Sequence, residues 1–517
     1  MCGINGGWLY EGIPGAEVEK SLHCMRHRGP DEFGTFVGDP VFLGNCRLSI
    51  IDLAGGRQPV FNEDGSIVVV FNGEIYNYLE LTRELTSLGH IFRTGCDTEV
   101  LAHLYEERGS AMCTSLRGMF AFAVWDARSR LLFIARDRFG KKPLYYTRTL
   151  SGGLLFASEL KGLRSLAAAV GRNLSLDQQG IYDFLSLGVV PQPYTIFQDV
   201  FSLPAASGAV FDGNDLRMEK YWRLGYTPKN NLTYPEILER SRELIGEAVR
   251  IRLRSDVPLG LFLSGGMDSS IAAYEAAKEQ CNLETFTVAV ADPNLDESAT
   301  ASETAKFLDV RHTVLPLEVA PLKLLQYLVT HYDQPYADSS AIPSLMVARL
   351  AGAHVKVVIN GDGGDELFAG YRRHLAAFLS SWFAWMPQGF MRLAKDALVG
   401  LSGDRRSSTG LWARFFSGLS TRGGERYLLW LTDMLRETDK ATVWRGSPQR
   451  PTEEWINSIL FEGLSPLDTQ MFGDTQINLL SDLLVKMDMA SMASSVEARS
   501  PFLDHVLAEF AASIPDR

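Results

Sequence analysis

The stretch LGLFLSGGMDSS, residues 259–270, decides how the second half of the chain is read. A short apolar run leads directly into a serine, two glycines and an aspartate, the order of a buried strand ending in a loop that opens a helix. The glycines let backbone N–H groups close on an anion, the hydroxyls of Ser264, Ser269 and Ser270 add donors, and the helix N-terminus adds its dipole. Such a loop suits a pyrophosphate. It contains neither GxxxxGK[ST] nor GxGxxG, so it is neither a Walker A loop nor a dinucleotide fingerprint.

Outward from this loop the rhythm repeats. ETFTVAV (284–290) precedes a helical pattern over 299–308, and VKVVIN (355–360) runs into GDGGDE (361–366), with a helix expected from Glu366. Strand, loop and helix in alternation predict a parallel α/β sheet whose ligand lies at the carboxyl ends of the strands. Asp362, Asp365 and Glu366 then reach the same sheet edge as the 264–270 loop, and hard carboxylates beside a phosphate loop are what Mg²⁺ requires. Either loop alone reads equally well as a helix-capping turn; the pair at two strand ends argues for a nucleotide. Beyond Leu375 the pattern is helical, and LAAFLSSWFAWMP (375–387), too short to span a bilayer, is expected to be a buried helix.

Upstream of about residue 213 the pattern differs. SIVVVFNGE (66–74) reads as an apolar strand ending in an Asn-Gly turn, FAFAVWDARSRLLFIARD (120–137) as two strands about a polar turn, and 97–107 as a helix. This is α+β with antiparallel sheet. Between them, GNDLRMEKYWRLGYTPKNNLTYPE (213–236) loses periodicity, so domains are expected over 2–212 and 236–517 with a linker at 213–235.

The chain opens MCGINGG. Removal of the methionine would leave Cys2 with thiol and α-amine on one residue. An α-amine titrates near 7.7–8.0 and a lysine near 10.4, so at about pH 7.5 roughly a third of the amine is free base against about a thousandth of a lysine. A terminal cysteine therefore brings its own general base. The 517 residues carry a net charge of −12, which disfavours nucleic acid as a partner. The six cysteines, Cys2, Cys24, Cys46, Cys96, Cys113 and Cys281, show neither a disulfide framework nor metal-ligand spacing. With no charged-then-apolar leader, a cytoplasmic protein without membrane attachment is expected.

Taken together, SGGMDSS in the second half and MCGI, RHRGPDEFG (26–34), RLSIIDL (47–53), FNGEIYN (71–77) and CDTEV (96–100) in the first resemble the glutamine-hydrolysing asparagine synthetase family. The resemblance implies an N-terminal-nucleophile hydrolase sandwich followed by an α/β parallel-sheet ATP-pyrophosphatase domain of adenine nucleotide alpha hydrolase type. It implies a thioester on Cys2, with Asn72 and Gly73 as oxyanion donors, and Arg47, Glu74 and Asp97 around glutamine. It further implies ATP held by Ser264, Gly265, Gly266, Asp268, Ser269 and Gly361, with Asp362 and Asp365 in the synthetase loop and Mg²⁺ on Asp268 and Asp365. Glutamine, ATP and a small carboxylate would be the substrates, with ammonia passing between two sites, and a homodimer is compatible. KMDMASMASSVEARSPFLD (486–504) also matches a family signature, its methionines Met487, Met489 and Met492 being expected in the core.

Two departures bear on the acceptor. Asp362 stands in GDGGDE where asparagine synthetases carry glutamate, and YADSSAIPS (336–344) stands where they carry a threonine pair and an aspartate-gripping arginine. Relatives with these variants act on sugar acids or peptide-like carboxylates, so a non-aspartate acceptor is the alternative. An enzyme that closes a ring with the substrate's own amine, or a non-catalytic binding relative, fits less well with Cys2 and an intact pyrophosphate loop. Family members continue beyond the equivalent of AASIPDR (511–517) into a segment with a catalytic lysine, and a weak synthetase half is the expectation for this stretch taken alone.

Overall fold

The computed structural model describes residues 2–516 apart from 281, 291, 294–295, 317–320, 384, 402–406 and 461–462. Two six-stranded antiparallel sheets form the first half. The first runs Val200–Ser202, Tyr145–Arg148, Leu154–Ala157, Gly3–Trp8, Val41–Arg47, Glu32–Val37; the second runs Leu216–Lys220, Ser207–Phe211, Leu131–Arg136, Gly118–Asp126, Ile67–Ile75, Val60–Phe61. Ile4, Trp8 and Leu43 of one sheet meet Val68, Val70, Ala123 and Ile134 of the other in a shared core. The outer faces are covered by helices, Gly15–Cys24 and Leu160–Ala169 on the first sheet and Tyr78–Ser87 and Asp97–Arg108 on the second. The central strands of each sheet are buried on both faces, so they read as near-continuous apolar runs.

The Asn-Gly pair expected to turn the chain does not. Residues 67–75 are one unbroken strand, paired with Gly118–Asp126 from Ile67↔Asp126 to Ile75↔Gly118. Gly73 takes φ +155°, and a Cβ there would lie 2.1 Å from the Met119 carbonyl oxygen. Here glycine serves close approach of two strands, one of its uses inside a sheet. The boundary expected at 212/213 is also displaced, since Leu216–Lys220 is an edge strand of the second sheet. Only one of its residues has to be inward-facing, so its sequence lacks an alternating signal.

The second half holds a five-stranded, wholly parallel sheet in the order Arg311–Pro316, Glu284–Ala289, Leu259–Phe262, Val357–Ile359, Glu497–Arg499. Helices Tyr234–Arg252, Met267–Glu279 and Ser298–Phe307 pack on one face, and Ala341–Gly352 with Leu484–Met492 on the other. The chain leaves Leu259–Phe262 toward one edge and returns to its other side through Val357–Ile359. That reversal of strand order is where an open α/β sheet makes its crevice. A π-helical stretch, Asp474–Leu483, continues into Leu484–Met492, where Met487, Met489 and Met492 are buried.

The stretch 375–387 is not the buried helix expected. Its helix ends at Ser380, and Trp382 and Trp385 are 63 % and 77 % exposed; Ala384 lies outside the described residues. Cys2, Cys24, Cys46, Cys96 and Cys113 are free thiols, and Cys281 lies outside the described residues. Among the described residues no helix is long and apolar enough to cross a membrane.

Candidate active site

Cys2 directly precedes the Gly3–Trp8 strand of the first sheet, and Asn72 and Gly73 lie on Ile67–Ile75 of the second, so the nucleophile sits where the two layers meet. The Cys2 N–H donates to Asn72 Oδ1 at 3.1 Å. That bond fixes which end of the buried amide is oxygen, and it leaves Nδ2 without an acceptor. A buried, unspent N–H₂ beside a thiol is what a developing oxyanion needs. Cys2, Gly73, Glu74, Arg47, Asp97, Cys96 and Glu497 line one cavity of about 30 Å³. Cys96 and Cys46 do not compete as nucleophiles: burial, then the Asp97 charge, pushes Cys96 well up, and burial, then Cys2, pushes Cys46 up to about 12.

Asp97 opens the helix Asp97–Arg108, and its Oδ2 accepts the Ile75 N–H at 2.9 Å. Burial raises its carboxyl to about 6 despite that bond, with the charge of Glu497 adding to the shift. Arg47 reaches the cavity, yet its terminal nitrogens are engaged: Nη1 by Glu32 at 2.8 Å, and Nη2 by the carbonyls of Ile51 at 3.0 Å and Asp52 at 2.8 Å. It clamps the 51–53 loop rather than presenting an open fork. Glu74 is buried, with Oε2 3.0 Å from Arg499 and Oε1 unpartnered. Burial drives its pKa well up, Asp97 and Glu497 reinforcing and Arg499 opposing.

Arg499 and Glu497 belong to the second half, and sequence reasoning passed them over. Their strand lies at the edge of the parallel sheet, and both side chains face back into the layers of the first half. Arg499 donates to Glu497 at 2.6 Å and to the Arg252 carbonyl at 2.7 Å. Arg28 forms a second crossing. It donates from Nε to the Cys2 carbonyl at 3.2 Å and pairs with Asp488 at 2.9 Å.

The two loops at the sheet crevice come together as the sequence predicts. Ser264 and Ser269 bond through their hydroxyls at 2.8 Å, and Gly266 N–H donates to Ser264 Oγ at 3.1 Å. Gly265 N–H is held by the Glu297 carboxylate at 3.0 Å, an internal anion where a phosphate oxygen would fit. A Cβ on Gly364 would strike Asp268 Oδ2 at 2.2 Å, and one on Gly361 would crowd Asp268 Cβ at 3.1 Å, so glycines let the loops close on each other. Burial, then Asp365 and Asp362, raises Asp268 to about 6. Carboxylates that repel one another at a sheet edge fit a divalent cation. Glu366 departs from the expected set: it is buried in the one-turn helix Gly364–Leu367 and bonded by Tyr371, and burial raises it to about 7.

Asp362 accepts from Asn360 Nδ2 at 2.8 Å, and Asn360 accepts from Ser500, the residue after Arg499. One short segment thus touches Glu74 on one side and the synthetase loop on the other. Lys486, set aside in the sequence reading, donates to Asp338 at 2.7 Å and Ser340 at 2.6 Å of the YADSSAIPS stretch. No spacing rule joins 338 to 486. A separate cavity of about 820 Å³ among helices over 372–436 is lined by Arg372, Trp412, Arg414 and Trp430 and by none of the motif residues.

Family models for a glutamine amidotransferase domain and for asparagine synthase match residues 1–222 and 240–517. Over all of this chain and 81 % of the relative, it is 33 % identical to asparagine synthetase [glutamine-hydrolyzing] 1 of Bacillus subtilis. It is 34 % identical to a putative asparagine synthetase [glutamine-hydrolyzing] of Mycobacterium bovis over the whole chain and 82 % of that relative. It is 31 % identical to a protein named amidase chyE of Penicillium rubens, again over the whole chain and 82 % of the relative.

Proposed function

The chain belongs to the glutamine-hydrolysing asparagine synthetase family, and from that membership we propose that it is a glutamine-dependent, AMP-forming ligase that converts a carboxylate to an amide. The Cys2 thiol loses its proton to the residue's own freed α-amine and attacks the side-chain amide of glutamine. The carbonyl oxygen, taking up negative charge, is received by Asn72 Nδ2 and the Gly73 N–H; ammonia leaves with the proton from the amine, and water then releases glutamate from the thioester. Asp97 binds the α-ammonium of glutamine. Arg47 binds its carboxylate by exchanging contacts with Glu32 and the 51–53 loop. Glu74, steadied by Arg499, forms the wall.

In the second half, Ser264, Gly265, Gly266, Ser269 and Gly361 cradle the pyrophosphate of ATP, displacing Glu297 from Gly265. Asp268 and Asp365 would hold Mg²⁺, which neutralises phosphate charge. The acceptor carboxylate attacks the α-phosphorus, pyrophosphate leaves, and ammonia attacks the acyl-adenylate to give amide and AMP. The pairing of Leu216–Lys220 with Ser207–Phe211 supports a glutaminase unit over residues 2–220, with the synthetase unit from 236 onward. Aspartate is the first acceptor to consider. Lys486, closed on Asp338 and Ser340, supports a second reading in which a sugar acid or peptide-like carboxylate competes for that lysine.

The observation that carries the proposal is the shared wall at 497–500, which borders the Cys2 cavity and reaches Asp362 of the synthetase loop through Asn360. It supports delivery of ammonia from one site to the other without passage through solvent, where it would be protonated. The test is to supply glutamine, Mg-ATP and an acceptor series beginning with aspartate, and to measure the nucleotide product. Acceptor-dependent AMP and pyrophosphate are expected. ADP and phosphate would overturn the reading.

A further inference from the structure

We infer that the outer helical layer of the glutaminase half carries a divalent metal site of the Zn²⁺ class, built from Glu63, His90, His103 and Glu106 and separate from both active sites. One donor atom from each of the four lies within 4.8 Å of every other. In a tetrahedral site with bonds of about 2.1 Å, donors stand about 3.4 Å apart, a contraction within reach of side-chain rotations.

Three separate segments supply the ligands. Glu63 follows the strand Val60–Phe61, His90 follows the helix Tyr78–Ser87, and His103 and Glu106 are one turn apart on Asp97–Arg108. The imidazoles lie with ring centroids 4.8 Å apart. Between them stands Glu63, with Oε1 3.1 Å from His90 Nδ1 and Oε2 3.3 Å from His103 Nδ1. The far nitrogen of each ring faces a different carboxylate: His90 Nε2 is 3.1 Å from Glu107, and His103 Nε2 is 3.5 Å from Glu99. An imidazole with one nitrogen toward the ion and the other toward a carboxylate is the arrangement that orients histidine ligands.

A second observation is independent of that spacing. His103 is fully buried, and neither of its ring nitrogens makes a hydrogen bond. Buried imidazole nitrogens are rarely left so. Glu99 does not relieve it as the side chains stand, because its Oε1 lies 3.5 Å from His103 Nε2, beyond a well-formed hydrogen bond. A cation bound at the nitrogen facing Glu63 does. Glu106 is positioned by Asn62 Nδ2 at 3.1 Å and Arg128 at 2.9 Å, so one oxygen would have to turn from these partners to the ion.

Two imidazoles and two carboxylates select a borderline cation such as Zn²⁺ over Mg²⁺ or Ca²⁺, which take oxygen donors. The two carboxylates balance its charge. Asp97, at the glutamine cavity, begins the helix that carries His103 and Glu106, so the ion would tie that helix to the Glu63 turn and stiffen the wall of the glutaminase site.

The full-length protein is stripped with a chelator, loaded with Zn²⁺ or Co²⁺, gel-filtered and assayed for bound metal. One ion per chain is expected, with a tetrahedral Co²⁺ absorption lacking thiolate charge transfer and a thermal midpoint that rises on loading. His90→Ala, at a position outside the apolar core of the second sheet, is expected to lower affinity by at least tenfold and abolish the thermal shift while keeping the fold. Glu107→Gln, removing an outer partner, is expected to weaken binding about 10–100-fold. If the parent retains no more metal than His90→Ala, or the Co²⁺ spectrum is octahedral or carries thiolate bands, the site is refuted and the four residues are an ion-pair network.

Discussion

Replacing Arg499 with methionine puts the shared wall to a quantitative test. The guanidinium is fully buried and reaches Glu74 at 3.0 Å, Glu497 at 2.6 Å and the carbonyls of Arg252 at 2.7 Å and Arg254 at 2.5 Å. Methionine fills much of the same volume and supplies none of the charge. Breaking a buried ion pair by removing one partner costs about 3–5 kcal/mol, and the two carbonyls that lose their donor add about 1 kcal/mol each at most. Glu74 moderates this total. Burial already drives it toward the neutral form, so it takes a proton when the cation is lost, and Glu497 carries most of the uncompensated charge. A net loss of about 3–5 kcal/mol is therefore expected, read from the urea midpoint. Pairing Arg499→Met with Glu74→Gln in a double-mutant cycle isolates the bridge, with a coupling of about 1–3 kcal/mol expected. Glutamate release should fall further than ammonia-driven pyrophosphate release, because Glu74 borders the Cys2 cavity. A variant within 1 kcal/mol of the parent, with unaltered glutamate release, would refute the reasoning.

Three other outcomes are expected. Asn72→Ala should lower the glutaminase kcat by ~10²–10³ with little change in KM; an unchanged kcat removes that amide from the oxyanion role. Asp97 rises to about 6 through burial, and its ionised form is the one that binds an ammonium. As pH falls below about 6, the proton competes with glutamine, so KM should rise by up to about tenfold per pH unit, a dependence that Asp97→Asn should flatten. Asp268→Asn and Asp365→Asn should each abolish Mg-ATP-dependent pyrophosphate release and spare glutamate release; loss of both activities together would mean that the aspartates support the fold.

What could be read in the sequence was local. SGGMDSS and GDGGDE are contiguous, their glycines and carboxylates follow apolar runs, and strand-end placement follows from that order. Asn72 and Gly73 were legible as site residues, though not as mid-strand residues, because an Asn-Gly pair signals a turn unless a partner strand is known to run alongside it. Arg499 and Glu497 were invisible for a different reason: their strand is three residues long, and the carboxylate that Arg499 answers is Glu74, far away in the chain. Lys486 and Asp338, and the four residues from 63 to 106, meet only through the fold. Trp382 and Trp385 were misjudged because apolar composition was taken to mean burial, an inference that runs reliably in one direction only.

The strand Glu497–Arg499 also sets an order of events during synthesis. The two sandwich sheets are complete in sequence by Lys220, but the cavity beside Cys2 lacks Glu497, and Glu74 lacks its cation, until roughly half the chain has followed. At translation rates of about 5–20 residues per second that interval is on the order of 15–60 s. Through it, a nascent chain can hold a folded first half without a finished pocket.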